Sequence, residues 1–250
     1  QAKRRCVLTV KIKAAHEQSR QAYGSPRIHR ELRAQGERCC RNTVATIMAE
    51  NGVKSRIKRK FKATTDSNHG HPGADNLLSR NFEQTTANQV WASDITYIRT
   101  REGWLYLAIV IDLFSRMIVG WAMSSRINSQ LTIDALDMAV ARRCPGQGLL
   151  HHSDRGSQYA CKDYQQRLKR HGMIASMSRQ GDCYDNAPTQ SVIGTIKTEW
   201  VNWQDYLTRE QGQKSLFEYM EVFYNCQRRH SSLNYMSPKD FEAAAKVAVV

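Results

Sequence analysis

The sequence predicts an α/β protein: a mixed sheet flanked by helices, with a helical module ahead of it and a helical extension behind it. Two observations carry this. Three strand-like runs follow one another between Trp91 and Met123, the first with an acid in mid-strand, and amphipathic helical runs come after them. Charge divides the chain as well. Of 37 basic and 23 acidic residues, 16 and 4 fall within residues 1–60, so the first quarter holds +12 of the net +14. A basic block feeding a nearly neutral globular part reads as a handle for an anionic polymer, against the plainer reading of a solvated basic surface. At 250 residues and 41% hydrophobic content there is room for one good-sized core and a smaller module.

Residues 7–52 read as helical and compact. Ser25 before Pro26 is the N-cap and N1 chemistry of a helix start, and Ile28 and Leu32 follow before Gln35-Gly36 breaks the run. A second helix is expected over 41–51, with Val44, Ile47, Met48 and Asn51 on one face and Gly52 at C′. Two short helices with Arg41, Asn42, Thr43 and Thr46 at the start or outer face of the second have the form of a helix-turn-helix DNA reader; the bland alternative is a helical hairpin with a polar face. From 55 to 88 the apolar period dissolves. Arg56, Lys58, Arg59 and Lys60 lead into turn residues 68–73, which describes a basic linker able to lie along a phosphate backbone. His69 and His71 lack partners at a fixed spacing and read as loop histidines.

Strands are expected over 91–98, with Asp94 sharing a face with Ala92, Thr96 and Ile98, then over 104–112, apolar enough to be buried on both faces, and over 117–123 after a turn at Ser115-Arg116. This is the opening of a ribonuclease-H-like sheet. A helix over 129–142, a strand over 149–152 and a helix over 157–171 continue it. Further on, Leu216, Tyr219, Met220, Phe223 and Tyr224 form one helical stripe, for core or partner-helix packing. Arg228, Arg229 and His230 then make a basic corner, and Ser237-Pro238 starts a last helix. The boundaries drawn are 1–54 for the helix-turn-helix module, 55–88 for the linker, 89–205 for the core and 206–250 for the extension.

Seven cysteines without a Cys-x-x-Cys pair fit neither a disulfide framework nor a zinc ribbon. No apolar run reaches the roughly 18 residues of a membrane span, and no signal-peptide apolar region opens the chain, so a reducing, cytoplasmic setting and no membrane partner are expected. The start at Gln1 rather than Met reads as a processed or trimmed end.

Asp154 stands at the end of the fourth strand, before a glycine turn and a helix, where it projects into a cleft shared with a mid-strand acid such as Asp94. Phosphoryl transfer on nucleic acid needs such a cluster, because two divalent cations about 4 Å apart must be held by oxygen ligands. Asp112, opening a turn with Ser115, reads as structural, and Asp185 or Asn186 as a helix N-cap. His151 and His152 flank Asp154 and read as packed, hydrogen-bonded histidines beside the cleft.

The order of motifs resembles the transposases of the insertion sequence three family, DDE recombinases with a retroviral-integrase-like core. Residues 23–28 and 41–52 resemble its helix-turn-helix module; 91–98, 110–116 and 152–159 its core motifs; 224–233 with Ser237-Pro238 its C-terminal signature. The resemblance implies a third acid, a glutamate 35 intervening residues after Asp154, and that position is Gln190. An amide keeps one acceptor oxygen but loses the charge, so a metal site there is weakened, by engineering or by decay of the gene. Glu199 lies on the opposite side of the same helix and is a poor substitute, whereas Lys197 shares the face of position 190, placed to meet a DNA phosphate or merely solvated.

The resemblance further implies a catalytic set of Asp94, Asp154 and the glutamate that Gln190 replaces, binding two Mg2+ ions (Mn2+ as a substitute), and cleavage and strand transfer at the 3′ ends of terminal inverted repeats. Expected partners are double-stranded DNA, as terminal repeats and target, and further copies of the chain in a dimer or higher assembly in the bacterial cytoplasm. Arg155, Lys197, Arg228 and Arg229 join Arg41, Asn42, Thr43, Thr46, Arg56, Lys58, Arg59 and Lys60 as candidate DNA contacts. A ribonuclease-H-like nuclease would share the acids without needing the basic module. A DNA-binding repressor with an inactive core would explain residues 1–60 and Gln190, yet leaves the Asp94 and Asp154 motifs without purpose.

Overall fold

The computed structural model describes residues 2–56, 74–179 and 182–248. Lys58, Arg59, Lys60, His69 and His71 lie outside them. The N-terminal module is built from α1 (Ala2–Gln18), α2 (Ser25–Ala34) and α3 (Arg41–Glu50). Ile12, Ile28, Leu32, Val44, Ile47 and Met48 are all buried, and the expected apolar faces belong to a cluster that continues into one face of the sheet and the C-terminal stripe. Gly24 rather than Ser25 is the N-cap of α2, with Pro26 in the first turn, a one-residue difference of the kind helix ends allow. The thiol of Cys40 caps α3 by accepting the Thr43 amide at 3.4 Å, leaving Arg41, Asn42 and Thr46 exposed.

The sheet contains β1 (Val90–Thr100), β2 (Gly103–Asp112), β3 (Ile118–Ser124), β4 (Leu150–Ser153) and β5 (Ile174–Met177) in the order β3-β2-β1-β4-β5. Its first three strands are antiparallel neighbours, and β4 and β5 join in parallel. The sheet is therefore mixed, as the sequence predicts. Leu105, Leu107, Ala108, Ile109, Val110 and Ile111 of β2 are buried, as befits a strand with helices on both faces. One face packs on α4 (Ser129–Arg143), α5 (Ser157–Ala160) and α6 (Lys162–Arg170), the other on α7 (Ala187–Glu199) and α8 (Arg209–Phe217). At Gly120 of β3 a Cβ would come 2.2 Å from the Ala135 carbonyl of α4, so only glycine lets this helix lie so close.

Two expectations change, and of the two readings of the C-terminal stripe the core one holds. The helix over 157–171 is two helices, because Cys161 is extended (φ −68, ψ 153) and the Gln165 amide donates to the Tyr159 carbonyl at 2.8 Å, closing α5. The segment 74–88 is no free linker. Its Leu77 and Leu78 amides both donate to the Ser176 hydroxyl, at 3.0 and 3.2 Å, and Arg80 pairs with Asp185 at 2.9 Å. The stripe Leu216, Tyr219, Met220, Phe223, Tyr224 continues α8 through a π-helical turn at Glu218–Tyr224 and is wholly buried inside the chain, against Tyr23 and Trp200 among others. It therefore offers no face to a partner helix. Beyond it, Asn225 closes the β3 edge, accepting from the Ile118 amide at 3.0 Å and donating to its carbonyl at 2.9 Å. Ser237 then caps α9 (Pro238–Ala248), accepting from the Asp240 amide at 3.2 Å.

Candidate active site

The parallel pairing of β1 with β4 stops at Ser93 opposite Ser153, and the next residue of each strand is an acid, Asp94 and Asp154. Two carboxylates thus stand side by side where β4 ends and β1 runs on alone. Each is fixed by the backbone beside it: Asp154 Oδ1 accepts the Gly156 amide at 2.9 Å and Asp94 Oδ1 the Ile95 amide at 2.7 Å. Burial, then the Asp154 charge, pushes the Asp94 carboxyl up to about 8, while the Ile95 amide and Lys197 act against the rise. Acids that crowd each other in a poorly solvated notch favour a cation between them.

Helix α7 brings the third position. The Asn186 amide donates to the Ser93 carbonyl at 3.0 Å, and its oxygen accepts the Thr189 hydroxyl at 2.8 Å. That clamp ties the start of α7 to β1 one residue before Asp94. At the other end of the helix, Lys197 Nζ lies 4.8 Å from the centre of the Tyr97 ring and interacts with Asp94. Helix and strand therefore run the same way. From 186 to 190 a helix rises about 6 Å, the length of about two strand residues, which brings position 190 beside the Asp94–Ile95 stretch of β1. Gln190 is half-buried there. Among the described residues no group of three or more His, Cys, Asp or Glu side chains is gathered to hold a metal ion. The notch has two carboxylates, with an amide on the helix that faces them.

The neighbouring residues are structural. His151 Nε2 lies 2.8 Å from the Ser93 hydroxyl and 3.0 Å from that of Tyr164, and His152 sits between Ser176 and Ser178 at 2.9 and 3.2 Å. Burial lowers them to about 3 and about 4, so both are neutral at pH 7. Asp112, fully buried, accepts the Asn88 and Phe114 amides at 2.7 and 2.9 Å and shapes the turn before β3. Asp185 is not the cap of α7. It is buried under Arg80, Arg179 and Asn76, and despite its burial those partners hold its carboxyl well below the usual range.

Several expected DNA contacts are turned inward instead. Arg228 is buried and forks onto Glu199 at 2.6 and 2.7 Å. Glu199 also takes Arg27 of α2 at 3.2 Å and the Tyr219 hydroxyl at 3.1 Å. Arg56 Nη1 donates to the Glu199 carbonyl at 2.5 Å and lies over Trp203. Arg229 pairs with Glu31 of α2 at 2.7 Å. Arg155 Nε donates to the Ser178 carbonyl at 2.8 Å. The basic corner is in large part the joint between module and core, because the carboxylates that neutralise it come from elements remote in sequence. Sequence reasoning missed Glu199 as the hub of that joint and Asn186 as the clamp onto β1. A glutamate at the apolar end of α7 was the available signal for the first.

An integrase core domain model matches residues 84–183 and a second integrase core domain model residues 171–238, while an HTH-like domain model matches 3–61. The chain is 46% identical over 231 residues to the InsF transposase of insertion sequence IS3A from Escherichia coli K12, covering 92% of this chain and 80% of that protein. The chain belongs to the IS3 transposase family. A 31 kDa protein of insertion element IS600 from Shigella sonnei is 45% identical over 234 residues, covering 94% of this chain and 86% of its own length. The fold agrees: a simian T-cell lymphotropic virus intasome chain superposes with a TM-score of 0.54 at 14% identity, covering 93% of this chain and 74% of that one. An IS3-family transposase with an integrase core is an enzyme of the polynucleotidyl-transferase type, and the acid pair lies within the first core match. No helix among the described residues is long and apolar enough to cross a membrane.

Proposed function

We propose that this chain recognises the terminal inverted repeats of its element and is built for 3′-end cleavage and strand transfer at the Asp94–Asp154 notch, with Gln190 holding it close to inactive. The observation that supports the reading is the register: Asp94 and Asp154 follow the last paired residues of β1 and β4, and the start of α7 is clamped at Ser93, a placement that would bring position 190 close to the pair. The division is a module at 1–54, a core at 89–205 and an extension at 206–250, with 74–88 counted as part of the core surface.

The notch fits a divalent cation in part. Mutual repulsion of Asp94 and Asp154 would be relieved by one, and the amide at 190 supplies an oxygen without charge. Asp94, Asp154 and the oxygen of Gln190 would hold Mg2+, or Mn2+ in its place, with two ions in the form that has Glu at 190. When bound, such ions stabilise the charge that develops on attacking and leaving oxygens. The chain's own residues orient the DNA: Lys197, beside Asp94, takes a backbone phosphate, and the exposed Arg41, Asn42 and Thr46 of α3, with Thr43 beside them, read the repeat in a groove. Arg228 and Arg229 act through the joint they build with Glu199 and Glu31, and Arg155, held on the Ser178 carbonyl beside Asp154, faces the DNA at the notch. Two ends must be paired for strand transfer, so the working form on DNA is a dimer or a larger assembly. A repressor-like role is the second reading, favoured by Gln190 alone.

The test is binding: this chain, titrated against a terminal repeat and a scrambled duplex of equal length, is expected to prefer the repeat, with an affinity falling steeply as salt rises. Equal affinity for both duplexes would contradict the proposal.

A further inference from the structure

Because β4 pairs no further than Ser153, no strand among the described residues lies beside the β1 edge from Asp94 to Thr100 on that side. Tyr97 and Arg99 project from the face of β1 opposite to that of Asp94. Across the hairpin, Trp104 stands directly opposite Arg99 and Tyr106 opposite Tyr97. The Tyr97 and Trp104 rings meet edge to face, 5.1 Å apart at 80°, and they are 37% and 47% exposed. Lys197 links this patch to the acid notch, with its ammonium over the Tyr97 ring and its charge felt by Asp94. Arg101 pairs with Asp205, which also feels Arg99, and Arg209 pairs with Glu102, so with Lys197 the cations around the patch outnumber its carboxylates.

Exposed aromatic rings flanked by cations are the makings of a surface for unpaired nucleic acid, since every base offers a π-face and the cations follow its backbone. From Asp94 to Tyr97 the strand covers about 10 Å, which is about three stacked nucleotides at roughly 3.4 Å each. We propose that Tyr97 and Trp104 form a base-stacking platform for an unpaired nucleotide of the DNA strand within about three nucleotides of the phosphate held at the Asp94–Asp154 notch, with Lys197 and Arg99 holding the backbone beside it. This rests on the transposase reading and adds the part of the DNA that the hairpin takes.

The experiment is photocrosslinking of the full chain to terminal-repeat DNA carrying 5-iodouracil at single positions, with the crosslinked residue identified by mass spectrometry. Crosslinks to Tyr97 or Trp104 are expected from positions within about three nucleotides of the cleavage point, and from no others. In the Tyr97→Leu, Trp104→Leu double variant the yield is expected to fall about tenfold, while Tyr97→Phe with Trp104→Phe keeps it and thermal melting shows both variants folded. Bound DNA that crosslinks only elsewhere, or unchanged yield in the leucine variant, would overturn the platform. So would a chain dimer that the leucine variant dissolves without any crosslink at these rings, which would assign the face to a second copy. Crosslinks at the rings with no preference for terminal-repeat DNA would leave the platform standing and remove the proposed recognition of the terminal repeats.

Discussion

Glu199 shows how one residue can bind distant parts of the chain. Its carboxylate takes Arg228 and Arg27, residues 29 and 172 positions away in sequence. Both this group and the Arg228 guanidinium are nearly excluded from water. Removing one partner of such a pair leaves a buried charge unanswered, so Glu199→Ala is expected to destabilise the fold by about 3–5 kcal/mol. Arg27→Ala, at a partly exposed position, should cost no more than about 1 kcal/mol. Denaturant unfolding of both variants checks this, and equal small effects would contradict the burial argument. The face on which Glu199 lies was legible from helical spacing, because that depends on residues within α7. Its partners were not, because nothing in local sequence says which arginine returns to it. The same holds for Arg228 and Arg229, whose charge invited a DNA reading until Glu199 and Glu31 were found beside them.

Among the elements, the strands β1 to β3 and helices α2 to α4 were legible because their apolar periods are long and bounded by turn residues. Strand β5 was not: Ile174–Met177 has too few residues to show an alternation, and it exists because β4 offers it an edge. The break at Cys161 is a local feature, a side-chain cap from Gln165 six residues on from Tyr159, that apolar periodicity does not register. For the proposed DNA recognition the element to test is α3, whose outer face carries Arg41, Asn42 and Thr46 while its inner face is filled by Val44, Ile47 and Met48. Deleting the module would uncover Phe223 and Trp200, on which Tyr23 and Arg20 pack, so substitutions on the outer face test it more cleanly. Arg41→Ala is expected to weaken repeat binding and to reduce the slope of log affinity against log salt by about 1 if one phosphate contact is lost. Unchanged affinity and slope in gel-shift titration would move recognition elsewhere.

At the scale of the whole molecule, the module and core are joined by a polar hub that acid should loosen. Burial, then the Arg228 charge, lowers the pKa of His230, whose Nε2 lies 3.1 Å from Arg228 Nη1. A histidine with a depressed folded pKa contributes stability that is complete above its unfolded value of about 6.5 and is lost as pH falls below it. Glu199, held below its usual 4.5 by Arg228 despite its burial, has the same sign at lower pH. The protection of α2 amides against hydrogen exchange, taken relative to the intrinsic rate at each pH, is therefore expected to fall between pH 7 and pH 5, and His230→Gln to reduce that dependence. Protection of α2 staying constant over that range would contradict it. What the hub holds in place is a DNA-reading module against the end of the helix that carries position 190, and the central claim concerns that position. The measurement that tests it most directly is nicking and strand transfer on labelled terminal-repeat DNA with Mg2+, comparing this chain, Gln190→Glu, and Gln190→Glu combined with Asp154→Asn. The account predicts binding with scarcely any cleavage by the present chain, a gain of several decades in rate on Gln190→Glu, roughly 1.4 kcal/mol of transition-state stabilisation per decade, and loss of that gain with Asp154→Asn. A Gln190→Glu variant no more active than the present chain, or one indifferent to Asp154→Asn, would contradict it.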